Sequence, residues 1–159
     1  MLYAFVGILF LFADQFLKFW TVAHIELNAN PGKELIPGVL NMTYIKNTGI
    51  AFGLFSKFSA LRWVLLGLLA AFTLFIVLGL IFRYLRTGFA RWTGTLLLAG
   101  LLGNGIDRAI YGYVVDMLEL EFIRFAVFNL ADFVINVSCI AFVLLMLLKK
   151  EPAAPAGEE

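Results

Sequence analysis

A chain of 159 residues that is 62% hydrophobic, only 14% charged and of mean hydropathy +0.94 lies outside the range of soluble domains, and is read as one integral membrane domain. Its net charge of +1, with no basic stripe, offers nothing to neutralise a phosphate backbone, so no nucleic-acid partner is expected. The single cysteine, Cys139, excludes a disulfide framework and a thiolate metal site, and within its apolar run it reads as a buried, inert side chain.

A hydrocarbon core about 30 Å thick takes about 20 apolar residues of helix. Four stretches meet that length: 2–23, 61–82, 92–111 and 127–148. The first lacks a basic leader and a small-residue cleavage pattern, so it reads as a retained helix and not as a signal peptide. It carries Asp14 and Lys18 toward its second end. The connection that follows, 24–60, is too long for a plain link. Pro37-Gly38 reads as a turn, 40–46 as a strand and Asn47-Thr48-Gly49 as a second turn, which together predict a small sheet on the membrane surface. His24, at the end of the first span, reads as an interfacial ring and not as a catalyst.

The second span is free of charge apart from Arg62 at its edge, and Trp20, Trp63 and Trp92 fall near span ends as interfacial anchors. The connection 83–91 holds three arginines and no acid. In the third span Ala99 and Gly103 form a small-xxx-small pair that lets another helix approach, and Asn104, Asp107 and Arg108 lie toward its second end. Between the third and fourth spans, Leu118, Leu120 and Phe122 alternate with Glu119 and Glu121, predicting a half-exposed strand or interfacial segment just after Asp116. The fourth span places Asn129, Asp132 and Asn136 toward its first end and closes on Lys149-Lys150; the tail 149–159 is expected to be disordered. The arginine connection and these lysines favour cytoplasmic termini, although Lys33, Lys46 and Lys57 on the opposite side weaken the bias.

Successive spans run antiparallel, so the three polar sets reach one leaflet, the outer one in this orientation. Each is spaced for one helical face: Asp14/Lys18 at i,i+4, Asn104/Asp107/Arg108 at i,i+3,i+4 and Asn129/Asp132/Asn136 at i,i+3,i+7. For Asp14, Lys18, Asp107 and Arg108, mutual pairing as structural glue (Asp14 with Lys18 or Arg108) stands beside a functional role. Asp116 and Asp132 are different, because glue alone would not bring two like charges together.

The chemistry open to these residues is narrow. Ser56, Ser59 and Ser138 lack a nucleophile-elbow setting, and one histidine with no H-E-x-x-H excludes a zinc hydrolase pattern. Two carboxylates are few for calcium or magnesium, so no metal or cofactor is expected. What remains is an aspartate dyad sharing a proton: the ionised member takes a proton from water, and the protonated one hydrogen-bonds the substrate carbonyl.

Five boxes occur in order. Asp14-Gln15-Phe16-Leu17-Lys18 resembles D-Q-x-[ST]-K, with Leu17 where a hydroxyl residue is usual. Asn47-Thr48-Gly49-Ile50-Ala51-Phe52 resembles N-T-G-x-A-F. Residues 100–108 resemble G-x-x-G-N-x-x-D-R, with Ala99 where a second glycine is common. Val114-Val115-Asp116 resembles V-V-D, and Phe128-Asn129-Leu130-Ala131-Asp132 resembles F-N-x-A-D. Through these boxes the chain resembles the bacterial lipoprotein signal peptidases (signal peptidase II), over essentially its whole length to about residue 148.

The resemblance implies an all-α membrane protein with four transmembrane helices and a small extracytoplasmic sheet-and-loop cradle. It implies an aspartic endopeptidase of the bacterial inner membrane that cuts the signal peptide from diacylglyceryl-modified prolipoproteins just before the lipidated cysteine. Its catalytic pair would be Asp116 and Asp132. Asp14, Lys18, Asn47, Gly49, Asn104, Arg108 and Asn129 would line and order the pocket. It further implies block by the cyclic peptide globomycin and substrates that have already passed through a lipid-transferring enzyme; a monomer in contact with membrane lipid is expected. The rival reading is a small proton-coupled carrier using the same acids as a relay, against which stand the missing internal repeat and the substantial first loop.

Overall fold

The computed structural model describes residues 2–29, 32–49, 61–82 and 87–148. Four helices, α1 (Leu2–His24), α2 (Leu61–Ile81), α3 (Gly88–Ile110) and α4 (Leu130–Leu148), carry a three-stranded antiparallel sheet of β1 (Lys33–Ile36), β2 (Leu40–Asn47) and β3 (Val114–Leu120) in the order β1-β2-β3. Residues 50–60, with Ser56, Lys57, Ser59 and the last three residues of the second box, lie outside the described part. So do Arg83, Arg86 and the tail 149–159.

The helices are amphipathic in the inverted sense. On α1 the buried positions are Gly7, Asp14, Lys18 and Thr21, while Phe5, Ile8, Phe12, Phe16 and Phe19 face outward. On α3 the buried face is small and polar, including Thr93, Gly100, Gly103, Asn104 and Asp107. α2 is apolar on every side, and Trp63, Leu68, Phe72, Phe75 and Ile81 are exposed. Water would reject such a surface, and hydrocarbon accepts it. Among the described residues, two helices are long and apolar enough to cross a membrane, Leu2–His24 and Trp63–Ile81; the apolar part of α4, Leu130–Leu144, is shorter.

Close approach of backbones holds the bundle. A Cβ on Gly100 would stand 2.7 Å from Ile135 Cγ1 and 2.8 Å from the Ala131 carbonyl, and one on Gly103 would stand 2.6 Å from Asp14 Oδ2. α3 therefore meets α4 and α1 through positions where no side chain fits, as the small-residue pattern predicts for that helix.

α3 starts at Thr87, whose hydroxyl accepts the Ala90 N–H at 3.1 Å. It stops at Gly112, whose backbone (φ +81°) enters the left-handed region while its N–H returns to the Arg108 carbonyl. Two residues later β3 begins and pairs with β2, with Asn47 opposite Val114 and Leu40 opposite Leu120. Its side chains Val114, Val115 and Met117 are fully buried, and Thr21 of α1 donates to Met117 Sδ at 3.3 Å. The sheet thus rests on the C-terminal end of α1. Beyond β3 the chain turns through 121–127 and rejoins the strand at Phe128, which bridges Leu118.

Two expectations fail here, for one reason. Cys139 is exposed, and so is Asn136. The inward face of α4 is set by Ala131, Val134 and Ser138, at i,i+3,i+7. Cys139 is one residue past that face, about 100° round the helix, and Asn136 points to the far side. The Asn136 amide is satisfied by its own helix, donating to the Asp132 carbonyl at 3.0 Å.

Candidate active site

Where the ends of α1, α3 and α4 meet the sheet, four aspartates lie in one polar cluster, all but Asp132 fully buried. They form two pairs with different chemistry.

The first pair is Asp14 and Asp107. Lys18, one helical turn beyond Asp14, points its ammonium between them, 2.9 Å from Asp14 Oδ2 and 3.1 Å from Asp107 Oδ2. Its third N–H goes to Asn104 Oδ1 at 3.0 Å, so all three donors of the ammonium are used. The remaining carboxylate capacity ties down backbone. Asp14 Oδ1 accepts the Ala131 N–H of the first turn of α4 at 2.8 Å, and Asp107 Oδ2 accepts the Val115 N–H of β3 at 3.0 Å. Gln15 completes the unit, its amide reaching Asp14 Oδ2, Asp107 Oδ1 and the Gly103 carbonyl. One buried ion triad therefore pins α1, α3, β3 and the start of α4 together.

The second pair is Asp116 and Asp132, and no ammonium or guanidinium hydrogen-bonds either one among the described residues. Asp116 Oδ1 accepts Asn129 Nδ2 at 2.7 Å and its Oδ2 accepts Asn47 Nδ2 at 2.9 Å. Asp132 Oδ1 accepts Asn104 Nδ2 at 2.7 Å. Asn129 joins the two acids through a reciprocal helix cap: its Oδ1 accepts the Asp132 N–H at 2.8 Å, and Asp132 Oδ2 faces the Asn129 N–H at 3.4 Å. The spacing Asn129/Asp132 thus works as a cap at the start of α4 instead of as one face within it.

Local folding explains each placement. Asp116 is opposite Ile45 in the sheet, so Asn47 is its diagonal neighbour on the same face. The chain returns at Phe128, which bridges Leu118, two residues along β3 from Asp116, and this carries Asn129 to that acid. Asn47 is fixed in turn by a tight loop, its Oδ1 accepting the Gly49 N–H at 3.0 Å. Arg108 does not pair with Asp14; its Nη2 donates to the Gly49 carbonyl at 3.2 Å and holds that loop over the site. Burial pushes the Asp116 carboxyl up to about 7, the Asp132 charge adds to this, and the amides of Asn47 and Asn129 oppose it.

All nine site positions singled out in the sequence fall in this one cluster. Lys18 and Asp14 stand behind the second acid pair, and Asn104 connects them to it. Sequence reasoning gives Gln15 no role of its own, yet its amide contacts both scaffold acids. The signal that points to it is a glutamine amide beside Asp14 inside an apolar helix, where polar groups need partners. His24 stacks on Trp20 and bonds the Trp20 carbonyl, away from these acids. Among the described residues, the buried Ser138 hydroxyl has no hydrogen-bond partner and so no base.

The family model for Signal peptidase (SPase) II matches residues 6–148. A lipoprotein signal peptidase of Nostoc sp. is 40% identical over 145 residues, covering 90% of this chain and 87% of its own length. One from Lactococcus lactis subsp. cremoris is 39% identical over 146 residues, covering 92% of this chain and 91% of its own. Two solved bacterial membrane enzymes superpose with TM-scores of 0.84 and 0.83 at 26% and 25% identity, the first covering 96% of this chain and 93% of the other. With the polar cluster, the inverted helices and these relatives in agreement, the chain belongs to the signal peptidase II family of membrane proteases.

Proposed function

We propose that this protein removes the signal peptide from diacylglyceryl-modified prolipoproteins, cutting just before the lipidated cysteine with water activated by Asp116 and Asp132. The observation that carries this reading is the second acid pair: two carboxyls linked through Asn129, receiving only neutral amide donors among the described residues, and joined by Asn104 to a triad where a lysine is fully committed to the other two acids. A pair so placed cannot ionise fully and holds one proton between its members.

In the reaction, one carboxylate takes a proton from water as the hydroxide oxygen adds to the scissile carbonyl carbon. The other carboxyl hydrogen-bonds the carbonyl oxygen and stabilises the charge that develops on it. Collapse of the tetrahedral species breaks the C–N bond, and the amine leaves with the proton first taken from water. Asn47, Asn104 and Asn129 keep both acids oriented, and Arg108 and Gly49 shape the rim that receives the peptide.

The same reading makes residues 1–148 one domain with four membrane spans in the bacterial cytoplasmic membrane, both termini and the tail 149–159 cytoplasmic, and the acids near the outer leaflet. A substrate held there by two acyl chains presents its scissile bond at headgroup depth, where the sheet could clamp it. Globomycin should compete for this site, and a monomer suffices, since every group named lies on one chain. The test is turnover of lipidated and unlipidated precursor by the purified protein and by Asp116→Asn and Asp132→Asn. Cleavage confined to the lipidated form and lost in both variants supports the reading; near-normal turnover in both variants defeats it.

A further inference from the structure

Resting on the dyad reading, we infer that the two acids have fixed, unequal roles: Asp132 bears the negative charge and takes the proton from water, Asp116 bears the shared proton, and Lys18 sets this order through Asn104.

The argument starts from what a lysine can do. An ammonium only donates, so the Asn104 oxygen, 3.0 Å from Lys18 Nζ, has to face it. The Asn104 NH₂ then has to face Asp132, whose Oδ1 lies 2.7 Å away. A cation polarises this amide in the direction that strengthens its donation. Among the described residues, neither amide on Asp116 has such a cation behind it. The Asn47 oxygen accepts the Gly49 N–H, and the Asn129 oxygen accepts the Asp132 N–H.

Position in the fold adds a second asymmetry. Asp132 is in the first turn of α4, where aligned peptide dipoles favour an anion. Asp116 is in the middle of β3 and has no such field. Access adds a third: Asp116 is fully buried, and Asp132 keeps part of its surface open, where water can reach it. The other charged groups of the cluster leave this order intact. Asp14 and Asp107 are bridged by Lys18, and Arg108 donates to the Gly49 carbonyl. A carboxyl that burial lifts to about 7, as in Asp116, is the natural proton holder of the pair. Asn104 and Lys18 are on this account positioning residues, acting through Asp132.

The experiment is a pH profile of kcat/KM for the full chain in lipid bilayers, with a lipidated precursor peptide as substrate, comparing wild type with Asn104→Ala. This variant leaves Lys18 on Asp14 and Asp107, so the triad that pins the helices survives. The acidic limb is expected to move toward neutral pH by about one unit while the alkaline limb stays in place, so the loss in acid exceeds the loss near neutrality roughly tenfold, over and above any uniform loss from removing an orienting amide. A uniform loss with both limbs fixed would mean that Asn104 only packs, and movement of the alkaline limb alone would reverse the roles; either overturns the inference. A second readout is the infrared band of protonated carboxyls at about pH 5, between the ordinary carboxylate range and neutrality. It is expected to weaken in Asp116→Asn and to persist in Asp132→Asn, and the opposite pattern overturns the assignment. If both aspartate variants turn over substrate normally, the dyad reading itself falls. If both are inactive and Asn104→Ala shifts nothing, only the asymmetry falls.

Discussion

Two aspartate pairs share one end of this bundle, and what bridges each pair separates them. Between Asp14 and Asp107 stands the Lys18 ammonium, within 3.1 Å of both. Between Asp116 and Asp132 stands the neutral Asn129, its side-chain amide on the Asp116 carboxyl and its backbone N–H facing the Asp132 carboxyl. A cation between two carboxylates lets both stay charged and spend their oxygens on backbone N–H groups of α4 and β3, which makes them fasteners. An amide leaves the mutual repulsion unrelieved, so a proton is held where it can be given and taken. The same side chain serves architecture or chemistry according to its nearest partner.

This contrast can be broken at several points. The largest effect is expected from the amide-bridged pair: Asp116→Asn or Asp132→Asn should lower kcat/KM by about 10³-fold or more, since general acid–base groups contribute roughly 10²–10⁴. Thermal stability should hold or rise, because a repulsion is removed. Turnover of radiolabelled lipidated precursor beside a melting curve reads both. In the wild type, activity should decline as pH rises through about 7, where Asp116 gives up its proton and neither acid can donate. Stability carries the same sign: the folded Asp116 holds its proton more tightly than the unfolded chain, so the contribution present in acid is lost as pH rises from the ordinary carboxylate range to about 7.

The cation-bridged pair should respond the other way. Lys18→Met strands two buried carboxylates, and breaking a buried pair costs about 3–5 kcal/mol. Reduced folded yield and a lowered unfolding midpoint in detergent would register this, with Lys18→Met/Asp107→Asn recovering part of the loss. If Lys18→Met is as stable as wild type, the triad is not the fastener described. Gly103→Ala is expected to cost about 1–3 kcal/mol by overpacking, because its Cβ would press on Asp14 Oδ2 at 2.6 Å. The smallest effect belongs to Asn136→Ala, which removes an exposed amide bonded to its own helix and should change stability by less than about 0.5 kcal/mol and leave turnover unaltered.

Much of this site was legible in the sequence because hydrocarbon makes polar residues conspicuous. Asp14/Lys18 at i,i+4 is a local relation, and the structure keeps it as an ion pair. The strand expected over 40–46 is β2, and Ala99/Gly103 lie on the buried face of α3 as their spacing predicts. Other relations are not local. The choice of Asp107 as the second partner of Lys18, in place of Arg108 for Asp14, depends on the rotation of α3 against α1. The two side chains are adjacent in sequence and point 100° apart. β1 is short and exposed at all four positions, with a bulge between Glu34 and Ile36, so its pattern carries no alternation to detect. Asn136 shows the opposite error, a correct spacing assigned to a face that the packing of Ala131, Val134 and Ser138 turned outward.

By itself the sequence determined the setting and the inventory: apolar helices, polar residues gathered toward one end, no competing nucleophile, and five boxes of one family. These follow from transfer energies and helical periodicity, which act along the chain. Tertiary structure decided which acid received the cation and which received the amide. That choice rests on α3 turning Asp107 toward Lys18, on β3 returning at Phe128, and on Asn129 capping α4. Each is a contact between residues far apart in sequence, fixed only when the helices close on one another across Gly100 and Gly103.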